Sequence, residues 1–285
     1  YTDFEVIVVD DGSTDGTDEA LQARYANRIR YVRQERQGGS AARNAGAQMA
    51  CASYLLFLDS DDRLRPDALA SLVATSKMHQ TAGMLGGGLL YVDDGGIVRG
   101  RKHPWDRDES LDLQRWLFAC PFVPSATLIQ RDWFEAVSGY DTGQPAAQDW
   151  DLGLRLSLAG CPMVWLKRTV CLYRVHPTNL SADFRKHSAA RLRALDKVFA
   201  SPSFPSNMNA LQCGAYAHSY LKKGLEEYAA RQYNLACRDL QRAVGLSPEL
   251  LISQAQAVFE AVVNFACGPF VEKPLVYSRM VMEHL

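Results

Sequence analysis

Three β-rich apolar runs dominate the first sixty residues: FEVIVVD (4–10), RIRYVRQ (28–34) and SYLLFLD (53–59). Helical spacing follows each of them, in DEALQARYA (18–26), GGSAARNAGAQMA (38–50) and RPDALASLVATSK (65–77), where Pro66 falls in the first turn. Strands alternating with helices build βαβ units, so the pattern predicts an α/β fold with a mostly parallel sheet flanked by helices. Further on, GMLGGGLLYVDDGG (83–96) reads as a strand and a turn, SATLIQ (125–130) as a strand and DWFEAV (132–137) as a short helix. QDWDLGLRLSLAG (148–160) is a helix opened by acids and stopped by Gly160, and MVWL and VCLYRVH are two late strands. Beyond Pro202 and Pro205 the β pattern stops and the chain reads as helix. Two units are expected, residues 1–203 and an all-helical appendage over 204–285.

Charge narrows the partners. The 285 residues carry 31 Lys and Arg against 32 Asp and Glu, a balance that gives no support for nucleic-acid binding. Seven cysteines lie scattered without a CxxC pair, which suggests free thiols buried in the core in a reducing compartment. The most apolar stretch, LLISQAQAVFEAVVNFACGPF, is broken by Gln254, Gln256, Glu260 and Asn264, and is not expected to span a membrane.

The chemistry concentrates at strand ends. In an open α/β sheet ligands bind beyond the carboxyl ends of the strands. Two strands end in acids, VVDDGSTD with Asp10, Asp11 and Asp15, and FLDSDD with Asp59, Asp61 and Asp62. Gathering these carboxylates costs repulsion, which a divalent cation relieves; Mg2+ and Mn2+ take oxygen ligands and bridge carboxylates to phosphate. In GGSAARNAG a glycine-opened helix start carries Arg43 and Asn44, and such a start attracts anions. Arg43 has three candidate partners, a phosphate, a base carbonyl or one of the acids. Asp149 sits at a helix start that favours an ionised carboxylate, as a base requires; an N-cap is its alternative role. His176, at the end of YRVH, has metal, phosphate or a structural role open to it.

The ordered set VIVVDDGSTDGT, GGSAARNAG, YLLFLDSDDRLRPDAL, FEAVSGYD, QDWDLGLRL and YRVH resembles the family 2 glycosyltransferases over about residues 1–180. That resemblance implies a GT-A fold and an inverting transfer of a sugar from a nucleoside-diphosphate donor, by expectation a UDP-sugar, to an acceptor hydroxyl. By motif, Asp11 would read the base with Asp10 and Asp15 nearby, and Arg43 would brace the nucleotide. Asp59 would lie near the ribose, and Asp61 would sit on Mn2+ or Mg2+. Asp62 and Asn44 would support them, Asp149 would be the catalytic base, and His176 would touch metal or phosphate. Gln148 stands where the family often has Glu. The implied setting is surface polysaccharide or glycolipid synthesis in the cytoplasm or at the inner membrane face, with a saccharide, lipid-linked or protein acceptor.

One departure stands out. The family places a strand, a loop and a helix before YTDFEVIVVDD, whereas this chain opens on Tyr1. It is read as an N-terminally truncated copy, with a central strand left unpaired and weak donor affinity. The competing reading is a catalytically weak nucleotide-binding fragment acting through its tail. A sugar nucleotidyltransferase would carry a Gly-rich phosphate loop near its start, and a HAD-type phosphatase a Thr or Val after DxD with a downstream Lys; neither pattern occurs. In the tail, GLEEYAARQYNLACRDLQRAVGLSP resembles one tetratricopeptide helical hairpin. Its mixed charge favours a protein partner or self-packing over peripheral membrane association.

Overall fold

The computed structural model describes residues 1–106, 109–176 and 183–248. The first apolar run becomes strand β1 (Ile7–Asp10), which crosses through helix α1 (Thr17–Tyr25) to a parallel partner β2 (Arg30–Arg33). Helix α2 (Gly39–Met49) leads to β3 (Tyr54–Leu56), then the two-residue β4 (Arg63–Leu64), helix α3 (Ala68–Met78) and β5 (Met84–Val92). Strand β6 (Val98–Lys102), helix α4 (Leu113–Phe118), strand β7 (Thr127–Gln130) and helix α5 (Arg131–Ala136) follow. Helix α6 (Gln148–Leu158) and the long β8 (Met163–Arg174) complete the sheet region. Three helices close the described chain: α7 (Phe184–Phe199), α8 (Leu211–Ala229) and α9 (Tyr233–Leu246).

The α/β class holds, but strand direction departs from the expectation. A six-stranded sheet runs β3-β7-β5-β8-β4 with β6 beside β5. Among the described ladders β1–β2 and β5–β8 are parallel, and the other four are antiparallel. The five residues between β5 and β6 are too few for a crossover, so β6 must fold back. Asp93 pins that turn by accepting from the Ile97 N–H at 2.9 Å. The two late strands are one: MVWL and VCLYR form a continuous β8, and a bulge at Gly86–Gly88 lets β5 pair on both sides of Lys167 and Arg168. The β1–β2 pair forms its own ladder, separate from the larger sheet among the described residues.

Alternation sorts the strands onto two faces. Met84 of β5 and Ile129 of β7 point to one core, where Trp116, Leu152, Leu154, Leu156 and Leu195 are fully buried under α4, α6 and α7. Leu85 and Leu128 point to a second core with Leu72 of α3 and Val170. Ala215 of α8 belongs to the first core, joined by Leu211 and Tyr216. Helices α8 and α9 form a hairpin that meets closely at Gly224, where a Cβ would come within 2.7 Å of Leu240 Cγ. The apolar stretch starting at residue 250 and Cys267 lie outside the described residues. No described helix is long and apolar enough to cross a membrane. The cysteine expectation fails in part: Cys161 and Cys171 are buried, but Cys51, Cys213 and Cys237 are exposed. A small thiol on a helix surface or loop meets little cost in water, so apolar neighbours in sequence do not guarantee burial.

Candidate active site

Asp10 and Asp11 close β1, and each is taken up by backbone. Asp10 accepts from the Ser13 N–H at 2.7 Å and from the Tyr31 hydroxyl at 2.7 Å. The Ser13 bonds and the Tyr31 hydroxyl hold its acid down to about 2. Asp11 accepts from the Gln37 N–H at 2.8 Å, the Gly38 N–H at 2.7 Å and the Gln34 amide at 2.7 Å. Burial works against the ionised form of Asp11, yet these donors keep its acid below the ordinary value. Asp11 therefore anchors the loop that launches α2. Asp15 is exposed and caps its own turn, accepting from the Thr17 hydroxyl at 2.5 Å.

Helix α2 carries Arg43 and Asn44 inward. Of its three candidate partners, Arg43 takes an acid: its guanidinium pairs with Asp59 and lies 5.4 Å from the Tyr140 ring centroid. Asn44 grips the Tyr140 peptide from both sides, donating to its carbonyl at 2.8 Å and accepting from its N–H at 2.9 Å. Residues 96 apart in sequence are thus locked together, and α2 is fixed against the loop before α6.

The DSDD segment turns tightly beyond β3, with the Asp62 N–H donating to the Asp59 carbonyl at 3.0 Å. Its acids diverge. Asp59 meets Arg43, Asp61 lies 2.9 Å from His176 Nε2, and Asp62 turns inward. Asp62 is only 6% exposed and accepts from the Arg174 N–H at 3.0 Å. Burial pushes its acid up to about 6, with the neighbouring Ser125 hydroxyl pulling the other way. Its Oδ2 makes no hydrogen bond of good geometry among the described residues, so one carboxylate oxygen is buried and under-satisfied. No cluster of three His, Cys, Asp or Glu that could hold a metal occurs among the described residues. The donors present are a pair, Asp61 and His176, with Asp59 two residues away.

Asp149 is the second residue of α6, after Gln148 and the preceding Ala147, whose φ of 51° is left-handed and costs a non-glycine residue strain. Its Oδ2 lies 3.6 Å from the Cys120 Sγ. Burial and the Asp149 charge both push the Cys120 thiol up, so it stays protonated as a donor. Asp149 and Tyr140 line one crevice, and the Tyr140 ring also packs against Arg43. Phe122, Pro124, Ile129 and Leu152 line the same crevice. The structure thus gathers Arg43, Asp59 and Asp149 around Tyr140, sets Asp61 against His176, and leaves Asp10 and Asp15 bound in their own turns. Cys120, Ser125 and Tyr140 were missed as site residues. Tyr140 lies within the FEAVSGYD motif, the one sequence signal that pointed to it.

Residues 1–138 match the family described as Glycosyl transferase family 2. The first 138 residues of the chain are thus similar to glycosyl transferase family 2. The match ends before Asp149 and His176, so their roles rest on geometry. A PGL/p-HBAD biosynthesis glycosyltransferase of Mycobacterium bovis is 32% identical over 157 residues, 54% of this chain and 58% of that protein. Chondroitin synthase of Escherichia coli is 46% identical over 70 residues, 24% of this chain and 10% of that protein. The chain therefore spans less than two thirds of either relative. In fold, it resembles S. aureus TarS 1-349 in complex with UDP-GlcNAc, with a TM-score of 0.67 at 14% identity over 99% of this chain and 84% of that one. Mannosyltransferase PcManGT from Pyrobaculum calidifontis, in complex with GDP-Man and Mn2+, superposes with a TM-score of 0.60 at 19% identity over 97% of this chain and 76% of that one. The fold of the chain is GT-A.

Proposed function

We propose that the chain moves a sugar from a nucleoside-diphosphate donor to an acceptor hydroxyl with inversion at the anomeric carbon. The observation that carries this reading is the Arg43–Asp59 pair against the Tyr140 ring beyond β3, with Tyr140 and Asp149 lining one crevice. Arg43 and the α2 start hold the donor, and Asp11 shapes the loop that receives its base. Asp149, which lines the crevice with Tyr140, takes the proton of the attacking hydroxyl. A single displacement from the face opposite the leaving group needs no enzyme nucleophile.

Asp61 and His176, 2.9 Å apart, are the donor pair that would hold a divalent cation of the kind that keeps phosphate among its ligands, with Asp59 in reach only on leaving Arg43. Mn2+ or Mg2+ bound there would neutralise charge on the departing diphosphate. UDP-GlcNAc and GDP-Man in the neighbouring structures favour a nucleotide-sugar donor, with UDP the first choice. The acceptor is a hydroxyl on a saccharide, a lipid-linked glycan or a protein, presented in the cytoplasm or at the inner membrane face. The separate β1–β2 ladder favours a second reading, a nucleotide-binding module with little turnover.

One experiment separates the two. A donor screen with Mn2+, reading release of UDP, GDP or TDP, identifies the donor, and Asp149→Asn is then compared with the parent. Loss of turnover by about 10²–10⁴-fold with nucleotide affinity within twofold supports the transferase. Binding without turnover in the parent supports the module, and turnover surviving in Asp149→Asn removes the base from its role.

A further inference from the structure

Two residues that are not glycine hold left-handed backbone in the segment between α5 and α6: Ser138 at a φ of 62° and Ala147 at 51°. Such residues persist only where their surroundings over-determine them. This segment carries Tyr140 and runs directly into α6, where Asp149 is the second residue. Whatever fixes the segment therefore fixes Tyr140 and Asp149 relative to each other.

Helix α7 reaches it at several points. Lys197 donates to Asp141, the residue after Tyr140, to Asp151 at 3.0 Å and to Gln144 at 3.4 Å. Asp151 is 2% exposed and lies two residues past Asp149; its N–H donates to the Ala147 carbonyl at 3.0 Å, closing the first turn of α6. The other Asp151 oxygen accepts from Arg155 Nε at 2.9 Å, and Arg155 also donates to the Val137 carbonyl at 2.6 Å. Earlier on α7, the Ala190 carbonyl accepts from the buried Gln144 amide at 2.8 Å, and Arg193 donates to the Gly143 carbonyl at 3.2 Å. Among the described residues, Lys197 is the side chain that bonds both Asp141 and Asp151. A partly buried ion pair is a weak way to add stability, and an apolar residue would fill the same space. What the ammonium adds is register: three acceptors from two stretches of chain meet on one nitrogen. Two carboxylates that share one ammonium repel each other once it is gone.

We infer that Lys197 is a positioning residue for the transfer reaction: from α7 it holds the Tyr140 segment and the start of α6 in one register, and so sets Asp149 against the Tyr140 ring on which Arg43 packs. The inference rests on the transferase reading, in which Asp149 is the base and Arg43 braces the donor. A base displaced by about 1 Å loses about 10²-fold in rate. Nucleotide binding, which that reading gives to Arg43, the Asp11 loop and Asp61, does not pass through Lys197. Loss of the lysine should therefore appear in kcat rather than in donor affinity.

The full chain is compared with Lys197→Met, Lys197→Arg, Asp141→Asn and the double variant of Lys197→Met with Asp141→Asn. Arg191→Met is the control, because Arg191 lies on the same helix but pairs with Glu226 of α8 at 3.1 Å. Turnover is read as UDP release from UDP-GlcNAc and GDP release from GDP-Man with Mn2+, below the melting transition of every variant. Hydrogen exchange by mass spectrometry follows the amides of residues 137–151. Lys197→Met should lower kcat at least tenfold with donor KM and UDP affinity within twofold, and Lys197→Arg, which keeps a cation between the acids, should recover most of it. Asp141→Asn should lower kcat by a smaller factor, and the double variant should fall no further than Lys197→Met, since both break one contact. Exchange over 137–151 should quicken in Lys197→Met and Asp141→Asn but not in Arg191→Met. Should Lys197→Met fail to fold, Asp141→Asn and Lys197→Arg carry the test. Parental kcat in Lys197→Met, or an equal fall in Arg191→Met, overturns the inference and leaves the transferase reading intact. A parent that releases neither nucleotide removes the transferase reading and with it the role in transfer; exchange over 137–151 unchanged in Lys197→Met then overturns the hold on the segment as well.

Discussion

Gly153→Ala tests how α6 seats the candidate base. Gly153 lies four residues after Asp149, on the same face of α6. A Cβ built there would stand 2.0 Å from Trp116 Cζ3 and 2.1 Å from its Cη2. Carbon atoms at contact need about 3.5 Å, so helix or indole must give way by about 1.5 Å. The indole has little room: Trp116 is fully buried, its Nε1 points to Met163 Sδ at 3.1 Å, and its carbonyl accepts from Trp150 Nε1 at 2.6 Å. Overpacking of this kind costs about 3 kcal/mol at the upper end, and the better helix propensity of Ala returns about 1 kcal/mol. The net loss of about 2 kcal/mol lowers the melting temperature by about 4–8 °C in a chain of this size. Because Asp149 rides on the same helix, a shift near 1 Å should also cut turnover by about 10²-fold. Thermal melting by circular dichroism and nucleotide release at 25 °C measure the two effects, and adding Trp116→Phe should recover part of both. A Gly153→Ala protein that melts and turns over like the parent would refute the seating of α6 on Trp116.

Asn44→Ala removes both bonds to the Tyr140 peptide and should cost about 2–3 kcal/mol, read as a lower urea midpoint with unchanged slope. His218 is held neutral, its acid lowered from 6.5 to about 4 by burial and then by Lys222 and Arg191. Since the unfolded chain takes up that proton first, stability is complete above pH 6.5 and falls as pH drops towards 4, by about 3 kcal/mol from this group. His218→Leu should flatten that part of the profile in urea titrations between pH 7.5 and 4.5. An unchanged slope would mean that His218 is solvated and titrates normally.

Periodicity made most of the early elements legible. Runs such as IVVD and YLL could only be strands, and α2, α3 and α6 declared themselves by glycine, proline and acidic starts. Strand direction was illegible because it depends on connection lengths rather than on the strands. Strand β6, VRGRK, is a charged edge with no apolar face, and the six-residue α4 is too short to show a period. At the site, acids at strand ends and the Arg43 helix were visible as residue types in order. What they touch was not: that Arg43 takes Asp59, that Asp61 meets His176, and that Asp62 points inward are products of tertiary packing. Cys120 sits between Ala119 and Pro121 and reads as core, yet α4 and α6 aim its thiol at Asp149.

The account turns on carboxylates from separate segments serving one cation and one diphosphate. Calorimetric titration of UDP into the full chain, with and without Mn2+, compared with Asp61→Asn, tests that most directly. The account predicts that Mn2+ tightens UDP at least tenfold, about 1.4 kcal/mol, and that Asp61→Asn erases this gain while leaving metal-free affinity within twofold. UDP binding that ignores Mn2+, or a Mn2+ effect that survives Asp61→Asn intact, would contradict it.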